Sequence, residues 1–128
     1  MIPGNSHIMK LLSPQQLHKL IIKAHYDIEV SYLEGPCARI ISGCTDESVK
    51  LVSWIHIEQH TTKRAIASFR NQKEAVKCYK RFHKIVSVSK TVEMDFRKIL
   101  NIDASYQVLY NTNESQKNTW AFRREYYY

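Results

Sequence analysis

Seven cations crowd one stretch of the chain at a spacing that suits phosphates. Lys73, Lys77, Lys80, Arg81 and Lys84 recur at intervals of three and four residues, and Arg64 and Arg70 lie just before them. On a helix, such intervals place side chains on one continuous stripe. Between His60 and Lys90 nine Lys and Arg face a single acid, Glu74, a local +8 in a chain whose formal net charge is +7. Like charges at this spacing repel by about a few tenths of a kcal/mol per pair. A polyanion removes that repulsion, because each neutralised phosphate releases condensed counterions. The same residues also suit a plain solvated helix face.

Other residue types offer less. His56, Glu58 and His60 alternate and could share a strand face, but a strand spaces alternate residues almost 7 Å apart, wide for three ligands of one ion. Cys37, Cys44 and Cys78 form no C-x-x-C pair and read as free thiols. Cys44, in a turn, is the one position where a thiol nucleophile would be conceivable. Trp54 shares the strand face of His56 and could stack on a base or sit beneath a neighbouring element. Near the end of the chain, Trp120, Phe122, Arg123, Arg124 and Tyr126 to Tyr128 mix aromatics with arginines. That mixture can bind RNA or pack a final strand. No P-loop, GxGxxG, HExxH or GxSxG motif occurs. No catalytic residue, metal ligand or cofactor is therefore assigned. A metal-independent ribonuclease, needing only His, Tyr, Lys or Arg, is the one enzyme class left open.

The elements that must carry these residues follow from caps and periodicity. Ser13, Pro14 and Gln16 make a capping box with proline at the first helical position. An apolar stripe then predicts a helix over 14–33, stopped by Gly35 and Pro36. Three strands follow: Cys37 to Ser42, an alternating run from Val49 to Glu58, and a return over Lys63 to Phe69. Asn71 and Glu74 start the second helix, whose apolar face runs through Ala75, Cys78, Tyr79, Phe82, Ile85 and Val86. A short helix over 91–101 and a hairpin from Tyr106 to Tyr126 complete the order α-β-β-β-α-α-β-β.

The run from Ala67 to Ala75 is similar to the strand-to-helix junction of three-stranded DNA-binding domains. The α-β-β-β-α order resembles that of double-stranded RNA-binding domains. The glycine-rich loop and Ser-Lys-Lys helix start of the latter are absent, and the former lack the long first helix, so no family is assigned.

At 128 residues, 44% apolar and 24% charged, the composition is that of one ordinary globular domain. No apolar run reaches eighteen residues and no secretory leader is visible, so a cytoplasmic protein without membrane contact is expected. The expected fold is α+β, a small antiparallel sheet with helices packed on one face, with residues 1–11 a mobile arm and 12–128 a single domain. The expected function is non-enzymatic nucleic-acid binding, to DNA or RNA, through Arg64, Arg70, Lys73, Lys77, Lys80, Arg81 and Lys84. The alternative is a small interaction or inhibitor module that docks on an acidic partner protein.

Overall fold

The computed structural model of the chain describes residues 9–111. The order is α1 (Pro14–Ile21), β1 (Ile28–Ser31), α2 (Pro36–Ile41), β2 (Lys50–Ile55), α3 (Thr62–Ala65), α4 (Gln72–Lys80), β3 (Lys84–Ser87), α5 (Lys90–Leu100) and β4 (Tyr106–Val108). The four strands form one sheet in the order β1-β2-β3-β4, and every pair is parallel. The fold is therefore α/β, and the antiparallel α+β sheet is corrected.

The misreadings have local causes. The first helix stops at Ile21, where Ile22 turns extended; the expected stripe ran on because Ile28 and Tyr32 keep helical spacing while belonging to β1 and its exit. Gly35 and Pro36 open α2 instead of ending a helix: Gly35 is its N-cap and Pro36 its first residue. Cys37 to Ser42 is thus helical rather than extended. The supposed return strand over Lys63 to Phe69 holds the one-turn helix α3. The second helix ends at Lys80, and Lys84–Ser87 becomes a parallel strand. Such a strand is apolar on both sides and imitates the tail of a buried helix. The expected hairpin partner beyond Asn111 lies outside the described residues, as does the C-terminal aromatic segment, and β4 pairs with β3. The strand-strand-strand-helix order that resembled nucleic-acid-binding domains is absent.

Other expectations hold. Ser13 and Gln16 form the capping box, and the Asn71 side chain accepts from the N–H of Glu74. Leu51, Ser53 and Ile55 point inward from β2, and α5 spans the expected short helix.

Neighbouring parallel strands joined by right-handed crossovers place their helices on one face. Between sheet and helices lies a core of Leu51, Ile55, Ile85, Ala75, Phe82 and Leu100 around an aromatic cluster. Tyr79, 1% exposed, has its ring centre 4.9 Å from that of Phe96 and 5.6 Å from that of Phe69. On the other face of β1, Ile28, Val30 and Tyr32 are exposed. Buried Arg39 ties the chain start to α4: its guanidinium donates to both Glu74 oxygens and to the carbonyls of Met9 and Leu12.

Candidate ligand site at the carboxyl edge of the sheet

Parallel strands aim all their carboxyl ends at one edge, and the loops that leave them gather there. Here that edge is built around the exits of β1 and β2. After β1 the chain turns sharply. Ser31 Oγ donates to the Leu33 carbonyl at 2.8 Å, and Gly35 takes φ 80°. Only glycine adopts that backbone without strain. A Cβ there would also stand 3.0 Å from Ser68 Oγ. The Gly35 N–H points at the buried Tyr79 hydroxyl, 3.3 Å away, so the turn is fixed to α4. Burial pushes the Tyr79 phenol up, which keeps it protonated.

The exit of β2 is held from two sides. Glu34 Oε2 accepts the N–H groups of His56 and Ile57 at 2.9 and 2.8 Å. From α5, Asp95 accepts those of Gln59 at 2.7 Å and His60 at 3.1 Å. His60 itself sits at φ 68°, an uncommon region for a residue with a side chain. Thr61 then caps α3, which carries Arg64.

Between these loops lies a cavity of about 190 Å³. Ile55, Ile57, Ala65 and Phe96 form apolar walls, and Glu34, Gln59, Arg64 and Ser68 supply polar groups. Arg64 is exposed and makes no ion pair among the described residues, unlike Arg39, Arg70 and Arg97. Its guanidinium is free to take an anion. Glu34 spends one oxygen on the loop and has the other left to accept hydroxyl groups.

The seven predicted phosphate contacts do not form one surface. Lys73, Lys77 and Lys80 are exposed on α4. Arg70 instead donates to the carbonyls of Lys10 and Leu11 at 2.7 and 3.1 Å. Arg81 donates to those of Ser42 and Cys44 at 2.6 and 2.5 Å. Lys84 lies in β3 beside Val52, on the sheet face opposite the core. Arg64 belongs to the carboxyl-edge cavity. Arg70, Lys77 and Arg81 do border a second cavity, of about 180 Å³, beside Ser13 and Pro14 at the start of α1.

The alternating histidines also separate. His56 meets the Tyr32 ring edge-on at 4.5 Å, while His60 Nδ1 lies 3.7 Å from Glu58 and 3.9 Å from Asp95. Cys37, Cys44 and Cys78 are all free thiols. Sequence reasoning missed Glu34, Gly35, Gln59 and Asp95. The usable signal was the Gly35-Pro36 pair a few residues after the alternating Ile28, Val30 and Tyr32, a strand-to-helix turn. Among the described residues no helix is long and apolar enough to cross a membrane. No known protein family, curated protein or solved structure matches the chain.

Proposed function

We propose that this domain binds a small polyhydroxylated molecule bearing a phosphate or carboxylate group, in the cleft at the carboxyl ends of β1 and β2. The observation that carries the reading is the guanidinium of Arg64, which makes no ion pair among the described residues, beside Glu34, Gln59 and Ser68 at the carboxyl edge of the sheet. Arg64 takes the anionic group, and Glu34, Gln59 and Ser68 take hydroxyls. At about 190 Å³ the cavity is smaller than the roughly 300–1,000 Å³ of sites that bury a drug-sized ligand. It suits a sugar phosphate, or one end of something larger.

Calorimetric titration with glucose 6-phosphate, glucose and inorganic phosphate tests this. The sugar phosphate should bind at least about tenfold more tightly than either fragment, a difference of about 1.4 kcal/mol. Arg64→Ala should remove the preference for the phosphorylated sugar over glucose. No heat with any probe, or binding indifferent to Arg64→Ala, contradicts the reading.

A second reading keeps nucleic acid as the partner, on the strength of exposed Lys73, Lys77 and Lys80 beside a cavity edged by Arg70 and Arg81. Three neutralised phosphates would give a slope of log affinity against log salt near about −2.7. Changing Lys77 and Lys80 to Glu should weaken duplex binding and flatten that slope. Absence of binding at low salt to every DNA and RNA tried removes this reading and leaves an acidic protein as the partner for the stripe.

A further inference from the structure

A histidine, a carboxylate and a thiol from three different elements converge away from the carboxyl edge. His18 comes from α1, Glu29 from the inward face of β1, and Cys44 from the loop after α2. His18 Nε2 donates to Glu29 Oε1 at 2.7 Å, and one ligand atom from each residue lies within 4.8 Å of the others. The His18 and Glu29 side chains are only 15% and 6% exposed, and Cys44 is 3% exposed.

The surroundings are built to hold this approach. Gly43 packs so closely on α1 that a Cβ there would collide with the Pro14 carbonyl. That contact fixes α1 against the loop carrying Cys44. Arg81 grips the Ser42 and Cys44 carbonyls and holds the same loop from the α4 side. Glu29 is a buried carboxylate whose one hydrogen bond among the described residues comes from His18. Buried carboxylates are held by pairing or by coordinating a metal.

We propose that His18, Glu29 and Cys44 form a binding site for a divalent transition metal, zinc foremost. Imidazole, carboxylate and thiolate are each zinc ligands, and two anionic ligands balance the charge of the ion. Bonds of about 2.0–2.3 Å bring such ligands within roughly 4 Å of one another, a small side-chain adjustment from the present arrangement. As the metal bonds form, Cys44 releases its thiol proton to solvent, and the proton on His18 Nε2 passes by way of solvent to Nδ1, which frees the Nε2 lone pair for the ion. Of the three ligands, His18 also lines a cavity of about 320 Å³ with Gln15, Ile22 and Thr45, and water supplies the fourth ligand.

Cobalt(II) is the probe, because a cysteine thiolate bound to it gives a near-ultraviolet charge-transfer band. The full chain, reduced and freed of metal, should take up one equivalent of cobalt with that band, and zinc should displace it. Cys44→Ser should abolish the band, whereas Cys37→Ser and Cys78→Ser should keep it. His18→Gln and Glu29→Gln should each weaken cobalt binding by at least about tenfold. Circular dichroism identifies any variant that fails to fold, and the remaining variants then decide. No charge-transfer band at stoichiometric cobalt, or a band that survives in Cys44→Ser, overturns the assignment.

Discussion

Glu34 and Asp95 perform the same task from opposite sides of one loop. Each supplies a carboxylate to backbone N–H groups at the exit of β2. Glu34→Ala should cost about 1–3 kcal/mol in urea unfolding, the usual penalty for leaving polar groups without partners. Glu34→Gln keeps an acceptor oxygen and should recover most of that loss. Glu74 makes a pH-dependent contribution. Burial raises its carboxyl, but hydrogen bonds from Arg39 and the Arg70 N–H, with the charges of both arginines, outweigh that and hold it below the ordinary 4.5. A carboxyl depressed on folding stabilises the protein above its unfolded value, and that stability is lost as pH falls through the folded value. Urea midpoints should therefore decline below about pH 4.5, and Glu74→Gln should flatten that decline while lowering stability at pH 7. Neither role was legible in the sequence. Glu74 was expected only to start the second helix with Asn71, yet its Oε1 accepts from the Arg70 N–H at 2.8 Å.

At the scale of elements, polar caps were the most readable feature. Ser13 and Asn71, both expected as caps, each accept an N–H three residues ahead, and so does Ser89, which the sequence reading did not name. Ser13→Ala and Asn71→Ala should each lower stability by about 1 kcal/mol and the melting temperature by several degrees. Unchanged melting in both would contradict these boundaries. Strands were harder to read. β2 alternates cleanly and was found. β1 and β3 are four residues each, too short for the strand period to separate from the helical one. Strand direction was beyond the sequence reading, since it rests on where the crossovers run. Once Pro36 was taken to follow a stop, three consecutive strands looked like a meander. The basic stripe suffered the same error: with α4 ending at Lys80, Lys84 turned into a sheet residue and Arg81 into a clamp on the α2–β2 loop.

At the scale of the molecule, the correction from antiparallel to parallel relocates the site. An antiparallel meander offers no common edge, so attention fell on the charged helix. Four parallel strands aim their ends one way, and the loops there bring together residues far apart in sequence. Glu34 reaches His56, and Asp95 reaches Gln59. That convergence depends on topology, which is why composition and spacing pointed elsewhere. The most direct test of a carboxyl-edge ligand site is an amide NMR titration of the full chain with glucose 6-phosphate. The account predicts chemical-shift changes concentrated at Glu34 and Gly35, at His56 to Gln59 and at Arg64 to Ser68, with Lys73, Lys77 and Lys80 unmoved. Shifts centred on those three lysines, or none at saturating ligand, would contradict it.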